Sequence, residues 1–507
     1  MIRGGKAAGW LQLPSEAFLP WAKLNGIAFT HVLPDVLEGK GGALTSNADM
    51  VGDVEKPQTL MTVPRALILS RERILEHAKV DKDFREVLES LGEFGRTSRG
   101  AILVFLLMQA SLSCSSLPER AGVHSPFTDR YVKSLPLEEL PTFWTPSELQ
   151  LLVGTTLAPA IAYKLKSLHR EYDMLREAAK DTQWFRAVHD AVDFDDWLQV
   201  DAMYRSRALD FPDIGHCMVP AIDLANHTAG EATIAIYEKD EDGNAVLLLR
   251  NDKSIAKGDE VTITYGDEKG ACEMLFSYGF LEHDRQSAET LFLSLSVPEN
   301  DPYRAIKMQT AECAPGFKLI DAGDGEMDWK GEFIWLLCVA EDDGLHFDLA
   351  RTVDGEEEVH AFFGEHELTG GAPELYTLLG KSELWDVYRL RAVAILQQRV
   401  FDQMQVLYGT QDNVEATPYG NETGIRDRCY DQAMQLRRLE FELLERAYED
   451  FEKQVSHDVL HSFAIADDNQ KVELAYSEIV QRYLAQMSGV EPEHSNGATE
   501  QVEDDFS

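Results

Sequence analysis

Three short segments carry side chains that could do more than build a fold. Residues 220–227 read Pro-Ala-Ile-Asp-Leu-Ala-Asn-His and contain Asp223, Asn226 and His227. Residues 258–266 read Gly-Asp-Glu-Val-Thr-Ile-Thr-Tyr-Gly and contain Tyr265; a third segment follows, Tyr278-Gly279-Phe280. Each sets polar atoms beside an apolar strand or turn. An Asp-Asn-His cluster can cap a turn through side-chain hydrogen bonds to the backbone, and tyrosines at strand ends usually pack half-buried with a solvated hydroxyl. Neither motif alone names an enzyme. The six cysteines (114, 217, 272, 313, 338, 429) lie far apart with no CxxC pair, which argues against a zinc site or a disulfide framework and predicts no metal.

The elements around these segments follow from periodicity. Residues 233–237 and 245–250 read as strands, and the Asp242-Gly243 step between them suits a hairpin turn. Residues 261–265 alternate like a strand that stops at Gly266, and 268–277 read as a short helix. Upstream, Gly39, Gly41 and Gly42 mark a tight backbone loop between strands. Residues 70–209 turn helical, and the run 101–108 is apolar on every side, as expected of a buried helix. Beyond about residue 297 the pattern predicts helices over 383–406, 431–454 and 470–487 that pack as a bundle, then an acidic disordered tail from Gly489.

Length and charge bound the rest. At roughly 150 residues per domain, 507 residues make two to four domains. The longest apolar stretch, residues 101–108, is far shorter than the roughly 20 residues a membrane span needs. Residues 1–15 hold no continuous apolar core before Pro14, so no secretory signal is expected, and cysteine usage fits a reducing cytosol or nucleus. A formal charge of -41 repels phosphate backbones, which excludes direct nucleic-acid binding through a basic face and favours basic partners. Such acidity also serves plain solubility.

In this order and spacing, the three segments resemble those of the SET-domain methyltransferases. The likeness is to the branch of the plant Rubisco large-subunit methyltransferase, with a long helical insert and a C-terminal helical domain. It runs from about Phe18 to about Met487 and is most specific between Ala202 and Asp284. It implies an α+β fold: a SET-domain β-fold over 1–290 with a helical insert at about 70–205. An all-α C-terminal domain over 291–488 and a tail over 489–507 follow. The family's N-terminal cofactor loop corresponds to Glu38, Gly39, Lys40 and Gly41, although Gly42 and Ala43 stand where relatives carry a larger residue. Arg207, in the segment Ser206-Arg207, would meet the carboxylate of S-adenosyl-L-methionine. Asp223, Asn226 and His227 would lie in the segment that threads under the active site and contacts the cofactor. Phe280 corresponds to the aromatic against the adenine, Tyr278 to a channel wall, and Tyr265 to the active-site tyrosine. Glu260 reads only as part of the turn entering that strand.

The resemblance implies methyl transfer to a protein amine. A free lysine has a pKa near 10.4, so a dry channel between Tyr265 and Tyr278 would favour the neutral amine the reaction needs. One relative in this branch methylates a histidine of actin. That enzyme has an asparagine two residues after the cofactor arginine and no tyrosine before Gly-Phe; Leu209 and Tyr278 here look like the lysine-specific members. A catalytically silent SET-like module that docks a basic partner is the alternative from another class. Expected substrates are basic proteins, in the order ribosomal protein, translation factor, histone tail, and the chain is expected to be a monomer in cytoplasm or nucleus, with no direct nucleic-acid or membrane partner.

Overall fold

The computed structural model describes residues 15–114, 117, 119–136, 139–323, 326–351, 357–420 and 422–466. The helix expected over 470–487, the acidic tail and the first fourteen residues lie outside them. The chain divides into two units. One comprises 1–153, 157–285 and 418–436, the other 154–156, 286–417 and 437–507, so the first ends near the sequence boundary at 290 and then regains a later segment.

In the first unit, strands far apart in sequence pair. The four-stranded antiparallel sheet runs Ala28–Phe29, Gln58–Val63, Ala245–Leu249, Ala235–Lys239. The last two form the expected hairpin: Asp240 accepts from the backbone N–H of Asp242 and Asn244, and Gly243 takes φ +81°. A second hairpin, Val32–Leu37 with Gly41–Ser46, turns through Glu38, Gly39 and Lys40. Gly39 and Gly41 sit at φ +76° and +77°, where a side chain would be strained.

The insert, which separates the two halves of that sheet in sequence only, supplies a helical layer. Helix Ser98–Ser113 is capped by the Thr97 hydroxyl and is buried from Gly100 onward, as its unbroken apolar run requires. It packs against helices Arg71–Ala78 and Phe194–Arg207. A buried charge cluster ties this layer: Asp201, with a fully buried side chain, lies 2.6 Å from Arg99, 2.9 Å from Lys164 and 3.5 Å from Arg205. Burial alone would raise the Asp201 pKa, but the three cations overcome it and lower it.

The second unit has its long helices, Trp385–Glu415 and the part of Asp427–Ala466 from Arg437 on. The all-α expectation is corrected between residues 290 and 367, where two three-stranded antiparallel sheets form. One comprises Thr290–Ser294, Gly316–Gly323 and Glu326–Lys330; the other Leu345–Arg351, Glu357–Phe363 and His366–Glu367. Thr290–Ser294 alternates between buried and exposed residues, the period of a half-buried strand, which the sequence reading passed over. The buried Arg437 guanidinium joins the helices, donating to Leu407 O, Thr410 Oγ1 and Gln411 Oε1.

Removing the charge of Asp201 would leave Arg99, Lys164 and Arg205 with the Glu171 carboxylate, already held by Arg99, as their remaining counter-charge in this cluster. Asp201→Asn is expected to cost about 3–5 kcal/mol, read as a lower urea midpoint at unchanged slope.

Candidate active site

The three segments singled out by sequence meet where two stretches of backbone cross. Ile263 N–H donates to Asn226 O at 3.0 Å and Thr228 N–H donates to Ile263 O at 3.0 Å, a single parallel bridge of His227 with Ile263. The expected alternation over residues 261–265 is not kept: Val261, Thr262 and Ile263 are all buried, and the segment joins its neighbours through isolated bridges rather than a continuous ladder. The thread enters through Ala221, a buried alanine at φ +74°, a strained backbone state of the kind that collects at functional sites.

This crossing gathers the rings. Tyr265 and Tyr278 lie with centroids 4.4 Å apart, His227 stacks 5.2 Å from Tyr265, and Phe280 lies 6.5 Å from His227. The Tyr265 N–H donates to His227 Nδ1 at 3.0 Å, so that nitrogen is an acceptor and the ring proton sits on Nε2. Nε2 faces Glu282 Oε1 at 3.2 Å. Burial pushes the Glu282 carboxyl up, but hydrogen bonds from His227 and Arg285 outweigh it and hold its pKa at about 2. The Tyr265 hydroxyl donates to Ala225 O at 2.9 Å, which leaves its oxygen lone pairs able to accept. Burial, then nearby Glu273, pushes the Tyr278 phenol up to about 12, so it stays protonated at neutral pH.

Tyr278 is held from two sides. It ends helix Ala271–Tyr278, which Gly279 closes in the left-handed conformation at φ +75°. Arg205 donates to Phe276 O at 2.9 Å and lies 4.3 Å over the Phe276 ring. Arg428 and Gln432 each donate to Gly279 O at 2.9 Å, and Gln435 donates to Glu282 O at 2.7 Å. Guanidinium groups at a helix C-terminus also complement its dipole. Tyr237 stands nearby: its ring stacks 5.4 Å from Phe211, and burial, Asp210 and Tyr278 together raise its hydroxyl pKa.

The remaining sequence-predicted residues surround the thread. Arg207 donates to Asp223 O at 2.6 Å. The Asp223 side chain turns inward and accepts from the buried Tyr131 hydroxyl at 2.7 Å; burial raises its pKa against the pull of Arg207. Its carboxyl therefore supports the thread. A methyl built on Gly39 or Gly41 would meet no atom within 4 Å, so open space lies over the loop, while one on Gly42 would come within 3.3 Å of Leu224 in the thread. Lys40 pairs with Glu260, and Asn226 Nδ2 donates to the same carboxylate at 2.8 Å. Glu260 is thus more than a turn residue, a correction to the sequence reading. That reading also missed Glu282, Tyr237, Arg428 and Gln432. Glu282 stands two residues past Phe280 and could have been weighed, whereas Arg428 and Gln432 carry no local signal. Among the described residues, no cluster of His, Cys, Asp and Glu suits a metal.

The fold is similar to that of solved SET domains. The chain superposes on the SET domain of LSMT crystallised with lysine and AdoHcy with a TM-score of 0.62 at 19% identity, covering 88% of this chain and 92% of that one. Rubisco LSMT bound to sinefungin and monomethyllysine gives a TM-score of 0.59 at 18% identity, over 88% and 93% of the two chains. In sequence, the chain is 30% identical over 279 residues to SET domain-containing protein 8 of Schizosaccharomyces pombe, covering 53% of this chain and 61% of that protein. It is 25% identical over 315 residues to the chloroplastic ribulose-1,5 bisphosphate carboxylase/oxygenase large subunit N-methyltransferase of Pisum sativum, covering 59% and 57%. The actin-histidine N-methyltransferase of Homo sapiens is 22% identical over 299 residues, covering 57% and 46%. The chain thus spans about three-fifths of the length of the first two relatives and under half of the third. No family model matches the chain.

The Glu282 pairing carries a pH signature. Its folded pKa of about 2 lies below the ordinary 4.5, so its stabilisation is complete above 4.5 and is lost as pH falls towards 2. Glu282→Gln should flatten the fall of the thermal midpoint across that window; an unchanged pH profile would dismiss the pairing.

Proposed function

We propose that the chain is an S-adenosyl-L-methionine-dependent protein-lysine N-methyltransferase. The observation that carries this reading is the 4.4 Å approach of the Tyr265 and Tyr278 rings beside the His227 thread. The cofactor fits the residues present. The open glycine loop at 38–41 leaves room for close backbone approach, and the Arg207 guanidinium suits a carboxylate. The Asn226 amide and the backbone carbonyls of the thread can accept from an amine. When bound, the cofactor supplies a methyl group on a sulfonium.

The chain's own residues supply the rest. Half-buried phenols wall the place where an amine would sit, and their low-dielectric surroundings disfavour the ammonium form. The Tyr265 hydroxyl, committed as a donor to Ala225 O, offers lone pairs at a fixed position to orient the methyl and the amine. Holding both reactants in line can supply up to about 7–11 kcal/mol of the barrier. The protonated Tyr278 closes the opposite wall.

Lysine is favoured over histidine by Tyr278 and by Leu209, which is buried where the actin-histidine branch carries an asparagine. The alternative of a silent binding module leaves the paired phenols without a purpose. A basic protein is the substrate we infer, in the order ribosomal protein, translation factor, histone tail. A charge of -41 supports it. Action as a monomer in cytoplasm or nucleus belongs to the same proposal.

Incubation with labelled S-adenosyl-L-methionine and a lysate, followed by peptide mapping, should find the label on lysine. Label on histidine alone would move the chain to the other branch, and failure of the folded protein to bind the cofactor in calorimetry would favour the silent module. Tyr265→Phe is expected to lower turnover about a hundredfold with little change in cofactor affinity; equal turnover would remove the tyrosine from the reaction.

A further inference from the structure

We propose that Glu260 is a positioning residue for the cofactor site, a latch that Lys40 closes and that fixes the amide of Asn226. This rests on reading the 38–41 loop and Asn226 as cofactor-binding. Three contacts of one residue carry it. The backbone of Glu260 forms a bridge with Thr45 on the second strand of the glycine hairpin. Its Oε2 pairs with Lys40 at the tip of that hairpin, and its Oε1 accepts from Asn226 Nδ2 at 2.8 Å. Glu260 therefore ties the base and the tip of the hairpin to the thread.

The chemistry decides what this does to Asn226. An ionised carboxylate only accepts, so the amide nitrogen must face Glu260 and the amide oxygen must point the other way. The rotamer that leaves the oxygen available to an ammonium group is thereby selected before the ligand arrives. Lys40 supplies the charge that balances the carboxylate, and it does so from an exposed place. Its side chain is 56% accessible, against 16% for Glu260. An ion pair so exposed is screened by salt. The latch should accordingly loosen as ionic strength rises, and cofactor affinity with it.

The full chain tests this by calorimetry with S-adenosyl-L-methionine at about 50 and about 500 mM salt. Glu260→Gln, whose amide can turn either atom to Asn226, should bind about tenfold more weakly than wild type. Lys40→Met should bind about threefold more weakly at low salt and lose much of the wild-type salt dependence, with its cofactor-free unfolding midpoint unchanged. Lys40 is exposed, so that variant decides the matter even if Glu260→Gln does not fold. Wild-type affinity and salt slope in Lys40→Met, or in a folded Glu260→Gln, would overturn the latch while leaving the cofactor site intact. A folded wild type that binds no cofactor would overturn the site itself.

Discussion

The arrangement depends on one backbone crossing. The segment around Asn226 and His227 and the segment around Ile263 satisfy each other's peptide groups, Ile263 N–H to Asn226 O and Thr228 N–H to Ile263 O. Buried peptide groups need partners, so the two segments must keep this register or leave polar groups stranded. The register places the Tyr265 N–H against His227 Nδ1, sets the imidazole tautomer and turns Nε2 towards Glu282. A left-handed alanine at 221 is the local cost of bringing the thread into place.

The whole chain carries a formal charge of -41. Inside the first unit, buried carboxylates are met by cations: Asp201 by Arg99, Lys164 and Arg205, and Glu148 by Arg426. Both groupings end at the helix that carries Tyr278. Arg205 reaches from the Asp201 cluster to Phe276 O, and Arg426 anchors the segment from which Arg428 and Gln432 reach Gly279 O. The helix that carries the Tyr278 ring is held by long polar arms that close on backbone carbonyls.

Much of this was readable from the chain alone. The buried helix Ser98–Ser113 was announced by an apolar run, the 235–249 hairpin by alternation around Asp-Gly, and the glycine loop by its spacing. The tyrosines, the asparagine and the histidine were picked out by their order. Other features were silent. Glu260 stood in the motif but looked like a turn, because nothing near it in sequence told of Lys40, which lies 220 residues upstream. Arg428 and Gln432 act on Gly279 from 149 and 153 residues away. The two small sheets of the second unit pair strands across turns and loops, and the alternation of Thr290–Ser294, which could have announced the first, was passed over.

What the sequence determined by itself was local: which stretches are helix, strand or turn, and which side chains have chemical use. Such properties arise between residues a few positions apart, where periodicity and backbone preference act directly. Which carboxylate meets which cation, which nitrogen of His227 bears the proton, and how near two phenol rings come were decided by tertiary structure alone. Those depend on which buried polar groups find each other across the folded chain, and that choice is made only when water is excluded from between them.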